Sequence, residues 1–332
     1  MNITPPAVAS SNYFDMAAVA FKKFFPDPTS LTNCNAHTCP TYFATTASRD
    51  SSFVLQFRTR DRALVEPSVY ETVKESLGDL APSTKLLGEH EHNGVTYLVY
   101  EQSRLPGQTI SRLFRKTDVL PTAAEGVGRL LAKCIIPGTR CGTDRARWFD
   151  EVMSKLTLAC DSTNPLVEPY KPDFVEVRDA VMAGGLDNLP LAVSNGDFNA
   201  INILATANGE VGGVVDWEAS AFQERPLGTW LSVVMWIKCL PRLDRYDEYE
   251  NTAEIEKRFW KGFFSSVPQE VAEQRDALSL AMKVGVILYN CEDWITDMLP
   301  RLRAELDCAI LSLPEDITEA KSETVLGHSD LA

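Results

Sequence analysis

Residues 193–218, which read VSNGDFNAINILATANGEVGGVVDWE, decide the fold of this chain. Two apolar runs, 201–205 and 211–215, flank the pair Asn208-Gly209. Asn-Gly between two apolar runs favours a two-residue type I′ turn, because both residues tolerate the positive φ angles that this turn requires. The segment is therefore predicted to form a β-hairpin whose two outer ends lie side by side.

Three polar residues stand at the open end of this predicted hairpin. Asn202 begins the first strand, Asp216 follows the second, and Asp197 lies upstream of Asn202 in a loop that contains Gly196. An amide and a carboxylate at this point suit a divalent ion, because hard cations prefer oxygen ligands. A second carboxylate beside them can accept a proton, and this combination matches the requirements of phosphoryl transfer.

The same residues resemble the Gly-Asp-x4-Asn-Ile-Leu … Asp-Trp-Glu signature of the aminoglycoside phosphotransferase and choline kinase family, a branch of the protein-kinase-like fold. The resemblance implies that Asp197 is the catalytic residue and accepts the proton of the substrate hydroxyl. It also implies that Asn202 and Asp216 bind Mg²⁺. Trp217 and Glu218 complete the Asp-Trp-Glu version of the signature that is usual in the small-molecule branch.

The N-terminal part of the chain alternates between helix-like and strand-like patterns, and helical patterns prevail after residue 102. The predicted elements are a helix at 11–25, strands at 41–46 and 53–58, a helix at 63–77, and strands at 85–91 and 95–102. The order strand, strand, helix, strand, strand is that of a kinase-type N-lobe after its first strand.

We therefore expect an α+β, bilobal protein-kinase-like fold with a small antiparallel sheet in the N-lobe and a mostly helical C-lobe. The expected divisions are an N-terminal helical extension at 1–29, the N-lobe at 30–102, the C-lobe with the catalytic hairpin at 103–312, and a polar tail at 313–332.

The predicted nucleotide side departs from the kinase pattern. A kinase holds the α- and β-phosphates with a lysine on the third strand, paired with a helix glutamate. That lysine position holds Gln56, while Arg58 lies two residues on and shares its strand face. Glu66 is the first candidate for the helix glutamate. The loop at 31–43, which would cover the phosphates, contains no glycine, although glycine lets backbone N–H groups approach phosphates closely.

The predicted hinge between the lobes lies at 100–103. The segment 105–110, LPGQTI, resembles the family's Pro-Gly-x-Thr-Leu segment, which stands just past the hinge. The resemblance implies that Tyr100, Glu101 and Gln102 bind the adenine of a nucleotide through their backbone groups.

The substrate side is predicted from residues around the catalytic loop and from the helices that follow it. Near the loop these are Trp217, Glu218 and Asn195, which stands where the family has a mainly structural histidine. Farther along the chain they are Glu292, Asp293 and Trp294. Acids and aromatic rings hold a cationic amine through ion pairs and cation–π contacts, whereas a solvated acidic face remains the alternative interpretation.

Composition and charge exclude several classes of partner. The chain has 332 residues, 45% hydrophobic and 23% charged, with a net charge of −14. Nucleic-acid binding requires clustered Lys and Arg, so a small-molecule substrate is expected and nucleic acid is not. No stretch approaches the roughly 18 apolar residues of a membrane span, and the N-terminus lacks a secretory pattern. We expect a cytoplasmic protein with no membrane partner.

Three functions are compatible with these residues. The first is a phosphotransferase that uses Mg²⁺ and ATP as co-substrate to phosphorylate a hydroxyl of a metabolite, such as an amine or alcohol. The second is a kinase fold repurposed for cyclisation, hydrolysis or elimination on a small biosynthetic metabolite, motivated by the altered lysine and the glycine-free loop. The third is a non-catalytic pseudokinase, against which the intact Asp197, Asn202 and Asp216 count.

Overall fold

The computed structural model describes residues 9–34, 39–219, 222–242, 245–290, 299–308 and 310. Its first part contains two helices and four strands in the order predicted, together with a first strand that the sequence did not reveal. In chain order they are α1 (Ala9–Phe24), β1 (Pro28–Asn33), β2 (Thr41–Thr46), β3 (Phe53–Arg58), α2 (Pro67–Leu77), β4 (Thr84–His92) and β5 (Val95–Ser103).

The five strands form one antiparallel sheet in the order β1-β2-β3-β5-β4. Helix α1 packs on one face of this sheet, where Met16 and Phe21 meet Leu55, Phe57 and Val99 in a small core. Residues 9–24 therefore contribute to the N-lobe core. Because side chains alternate along a strand, the even-numbered residues of β3 lie on the opposite face of the sheet.

Two predicted strands, 41–46 and 53–58, have the predicted bounds, and the Asn93-Gly94 turn has the positive φ angles of 52° and 75° that its sequence favours. Helix α2 begins later than predicted, at Pro67. Proline fits the first turn of a helix because the N–H it lacks would be unpaired there.

The second part is mostly helical, with short strands between the helices. The elements are β6 (Gln108–Thr109), α3 (Leu120–Lys133), α4 (Phe149–Cys160), α5 (Lys171–Met182), β7 (Leu191–Ser194), β8 (Ile203–Ala205), β9 (Val211–Val214), β10 (Gln223–Pro226), α6 (Val233–Lys238), β11 (Cys239–Pro241), β12 (Tyr246–Glu248), α7 (Thr252–Phe264), α8 (Gln269–Ala272), α9 (Arg275–Asn290) and α10 (Leu299–Leu306). The larger hydrophobic core lies among α3, α4, α5, α7 and α9, and α2 contributes Val73 and Leu77 to it. None of the helices in the described ranges has the length and apolar character of a bilayer span.

The central hairpin consists of β8 and β9, which pair antiparallel. Its turn differs from the predicted type I′ turn. Gly209 has a φ of 85°, but Asn208 does not have a positive φ. Thr206 instead donates to the carbonyl of Glu210, which leaves the three-residue loop 207–209. A three-residue loop needs one left-handed residue at its end, and Gly209 supplies it.

Strand β6 joins this hairpin as a third strand and connects it to the N-lobe. Gln108 pairs with Ala205, and Thr109 pairs with Leu204. At Gly107, φ is 95°, and a Cβ atom would lie 2.3 Å from the carbonyl oxygen of Ala205. The Pro-Gly of the segment 105–110 is therefore required by the close approach of two backbones.

Candidate functional site

Three asparagines hold Asp197 in place. Asn199 donates its side-chain amide to Oδ1 of Asp197 at 2.6 Å, and Asn202 donates to Oδ2 at 2.8 Å. Asn195 accepts a hydrogen bond from the backbone N–H of Asp197 at 3.1 Å. Each carboxylate oxygen therefore has its own amide donor, and the side chain of Asp197 is held in a single orientation.

The carboxylate of Asp197 lies half-buried at one side of the cleft between the lobes. Burial is the largest cause that raises its pKa above the usual aspartate value. The hydrogen bond from Asn199 opposes this rise, and the neighbouring charge of Asp216 adds to it. A carboxylate with a raised pKa binds a proton more readily, which suits a proton acceptor.

Asp216 follows β9 in a strained backbone conformation, with a φ of 70°. In the part of the chain that the structure describes, Asn93 in its turn is the other non-glycine residue with a positive φ. Such strain concentrates at functional sites. The N–H of Val215 donates to the carbonyl of Asn202 at 3.0 Å, so the two ends of the hairpin meet beside Asp197 as predicted.

Arg58 provides the cation on the N-lobe side of this site. Its side chain is 0% exposed and forms an ion pair with Oδ1 of Asp216. Its Nη1 lies 3.5 Å from the carboxylate of Glu218 and donates to the backbone carbonyl of Arg62 at 3.1 Å. Its Nε donates to Gln56 at 2.9 Å. Of the two predicted strand residues, Arg58 therefore contacts the carboxylates, whereas Gln56 contacts Arg58.

A second arginine completes an interlobe charge cluster of Arg58, Arg62, Asp216 and Glu218. Arg62 donates to both carboxylate oxygens of Glu218, at 2.7 and 2.9 Å. Burial alone would raise the pKa of Glu218, but the bonds from Arg62 and the charge of Arg58 lower it below its usual value. Leu64 also forms an antiparallel bridge with Glu218, so backbone bonds and ion pairs join the two lobes at the same place.

The predicted partner of the strand cation, Glu66, does not reach it. Glu66 is exposed at the N-terminus of α2, where the chain enters the helix through Pro67, and Asp216 and Glu218 take its place beside Arg58. Gln56 donates to Thr41 at 3.3 Å and so braces β2 against β3. In the loop 31–43, residues 35–38 lie outside the described residues.

The predicted hinge at 100–103 lies inside strand β5 and not between the lobes. Strand β5 continues through Ser103 and has β3 on one side and β4 on the other, so the backbone groups of Tyr100, Glu101 and Gln102 are used inside the sheet. The side chain of Glu101 pairs with Arg49 at 2.6 Å on the sheet face that carries α1. Residues 104–107 are the actual connection between the lobes.

An aromatic cavity of about 880 Å³ opens beside Asp197 on the C-lobe side. The loop that contains Gly196, Asp197 and Asn199 forms its floor, and β10, α4, α6 and α9 contribute to its walls. Its described aromatic residues are Phe114, Phe222, Trp230, Trp236 and Tyr289. The volume lies in the range of drug-sized ligand sites.

Three of the residues predicted to contact substrate are instead buried and bonded to other parts of the protein, which corrects the sequence interpretation. Trp217 is 1% exposed and packs against Phe198 with its indole N–H bonded to the carbonyl of Val214. Asn195 is equally buried and braces the loop that contains Asp197, and Glu218 belongs to the interlobe charge cluster. None of these three lines the described wall of the aromatic cavity. The other predicted substrate residues, Glu292, Asp293 and Trp294, lie outside the described residues.

Several important residues were not predicted. Asn199 could have been found, because an asparagine two residues after an aspartate can bond back to its carboxylate. Arg62, Arg225 and Tyr289 carried no local signal, since they reach the site through tertiary packing.

Solved structures resemble most of the chain. Choline kinase from Cryptosporidium parvum Iowa II matches with a TM-score of 0.52 and 11% identity, over 94% of this chain and 96% of that chain. Ethanolamine kinase from Plasmodium vivax matches with a TM-score of 0.51 and 13% identity, over 83% and 81%. Aminoglycoside phosphotransferase APH(4)-Ia matches with a TM-score of 0.50 and 14% identity, over 88% and 98%. The chain has the protein-kinase-like fold.

These matches confirm the fold class that was predicted from residues 193–218. They also confirm that the architecture resembles that of small-molecule kinases. No protein-family model matches the sequence, and no curated protein is significantly similar to it. At identities of 11–14% the similarity is one of fold.

Replacing Arg58 by methionine is expected to destabilise the protein by roughly 3 kcal/mol, because two carboxylates lose a buried cationic partner. Chemical denaturation measures this change. Arg60→Met is the matched control, since Arg60 is 71% exposed and its pair with Glu89 is worth less than about 1 kcal/mol. Equal effects of the two substitutions would contradict a structural role for the interlobe charge cluster.

Proposed function

We propose that this protein is a small-molecule phosphotransferase that moves the γ-phosphate of ATP to a hydroxyl group of a metabolite. One observation carries the proposal. The carboxylate of Asp197 is fixed between two amide donors, with Asn202 and Asp216 beside it and the aromatic cavity in front of it. A proton acceptor, oxygen ligands and an acceptor cavity are thus combined at one point of a kinase-like cleft.

Asp197 acts as the proton acceptor. It borders the aromatic cavity, so a hydroxyl group bound there can donate to it. The amides of Asn199 and Asn202 bond the two carboxylate oxygens and orient them toward an incoming donor without further rearrangement. In phosphoryl transfer, positioning of the reacting groups in this way contributes much of the rate acceleration.

The residues at the hairpin ends fit a magnesium ion. Asn202 uses its amide nitrogen on Asp197, and no hydrogen bond from a described residue reaches its side-chain carbonyl oxygen. No hydrogen bond from a described residue reaches Oδ2 of Asp216 either. Two protein oxygens are enough for Mg²⁺, which usually keeps waters and takes further oxygens from phosphates. When bound, the ion would neutralise charge on the transferred phosphoryl group.

Arg58 is the residue proposed to hold the nucleotide phosphates in place of the usual lysine. It stands on the cleft face of β3 and is already next to Asp216. A guanidinium group binds phosphate oxygens with two parallel hydrogen bonds, which a single ammonium group cannot do. The glutamine at position 56 therefore need not carry the positive charge itself.

A second function is favoured by one observation, the ion pair of Arg58 with Asp216. A carboxylate already neutralised by a guanidinium group needs no metal for charge balance. Asp197 would then act as a general acid or base on a metabolite in a cleft that does not use ATP.

Nucleotide binding separates the two functions. ATP with Mg²⁺ is expected to raise the melting temperature by several degrees, because a ligand at 100 times its Kd adds about 2.7 kcal/mol to stability. ATP with excess chelator is the control and is expected to stabilise less. The absence of any shift with ATP, ADP or GTP in the presence of Mg²⁺ would rule out the phosphotransferase.

Asp197→Asn is expected to lower the rate of ADP release, measured with water as acceptor, by roughly 10²–10⁴-fold, because an amide cannot accept the proton. The melting temperature is expected to change little, since the substitution removes a half-buried charge but leaves one of the two amide donors without its acceptor. Asp187→Asn is the control, because that carboxylate is also half-buried and hydrogen-bonded but lies away from the aromatic cavity. An unchanged rate in Asp197→Asn would remove the proposed role of this residue.

A further inference from the structure

A buried arginine in the wall of the aromatic cavity has an unpaired donor. Arg225 on β10 has a side chain that is 2% exposed. Its Nε donates to Gln223 at 3.1 Å, and its Nη2 donates to Glu151 at 2.5 Å. Its Nη1 is buried and has no hydrogen-bond partner among the residues that the structure describes. An unpaired donor on a buried cation is costly, so an acceptor at this place would be favourable.

A second unpaired donor lies on the same wall. The indole Nε1 of Trp230 is buried and finds no acceptor within the described part of the chain, and Trp230 lines the aromatic cavity together with Arg225. Neighbouring donors that lack acceptors, one of them on a charged group, are complementary to a group rich in acceptor oxygens.

The carboxylate that now faces Arg225 can be displaced. Glu151 is 53% exposed on α4, and its carboxylate also lies 3.5 Å from Lys155. It can therefore turn toward solvent and keep a cationic neighbour. Arg225 cannot move in the same way, because its guanidinium group is enclosed.

We propose that the acceptor is a largely apolar, aromatic hydroxy acid, whose carboxylate replaces Glu151 on Arg225. The aromatic rings of the cavity contact its body, and its hydroxyl group reaches Asp197. This inference rests on the proposed function for the hydroxyl end alone. The proposed ligand is an anion, and not the cationic amine considered for the acidic residues of the sequence, because the described wall offers an enclosed guanidinium group.

A single water is the competing explanation for the unpaired donors. Arg225 and Trp230 also border an interior cavity of about 20 Å³, which has room for one water. A water there would satisfy the donors without any ligand. It would give no preference for a negatively charged ligand over a neutral one.

The test is isothermal titration without nucleotide, using three rigid probes of the same shape. They are 6-hydroxy-2-naphthoate, its methyl ester, and 6-(aminomethyl)-2-naphthol. The naphthoate is expected to bind at least about tenfold more tightly than the ester or the amine, as a charged hydrogen bond to a guanidinium group should give. Equal affinities, tighter binding of the amine, or no binding of any probe at millimolar concentration would overturn the proposal.

The two members of the ion pair should respond in opposite directions. Arg225→Gln is expected to abolish the preference for the naphthoate. Glu151→Gln removes the competing carboxylate and is expected to tighten naphthoate binding several-fold while leaving the ester unchanged. If both variants weaken all three probes equally, the pair is structural and the proposal fails. If Arg225→Gln does not fold, Glu151→Gln decides alone, because only a displaced carboxylate predicts tighter binding.

Arg147→Gln is the matched control. Arg147 pairs with Glu224, the neighbour of Arg225 on β10, but does not line the aromatic cavity. It is expected to leave all three affinities unchanged. Because no nucleotide is present in these titrations, a failure of phosphoryl transfer and a wrong acceptor class give separate results.

Discussion

The ion pair between Arg58 and Asp216 is the interaction on which the rest of the cleft depends. Arg58 ends a strand of the N-lobe, and Asp216 ends the hairpin of the C-lobe, so this contact fixes the two lobes relative to each other. Glu218 and Arg62 extend it, and the bridge of Leu64 with Glu218 adds backbone bonds at the same place. The position of Asp216 is thereby set, and through Asn202 the hairpin also positions Asp197.

The same contact explains how the cleft can lack a strand lysine and a helix glutamate. In the usual kinase arrangement the glutamate holds the lysine in place, whereas here Asp216 and Glu218 hold the arginine. A nucleotide can break the ion pair of Arg58 with Asp216 only if it binds the protein with the pair broken more tightly than the protein with the pair formed. In the proposed function, phosphate oxygens bound to Arg58 and a metal ion bound to Asp216 would together provide such a difference in affinity.

Local signals made much of the fold and the arrangement around Asp197 predictable. The apolar runs around Asn208-Gly209 indicated a hairpin, and its geometry brought Asn202 and Asp216 together. The turn type was wrong because Asn-Gly also suits a three-residue loop, in which glycine alone needs a positive φ. Glu66 and the hinge were misplaced because their assignment depends on which strands surround β5 and how α2 meets the C-lobe. Arg62 and Arg225 reach their partners across 156 and 74 residues, and no sequence periodicity encodes such distances.

A crystal structure of the protein with Mg²⁺ and a non-hydrolysable ATP analogue tests the central claim most directly. The account predicts that the guanidinium group of Arg58 has left Asp216 for the phosphates, and that the metal is bound by Asn202 and Asp216. Arg58 still paired with Asp216, together with an empty cleft or a nucleotide bound elsewhere, would contradict it.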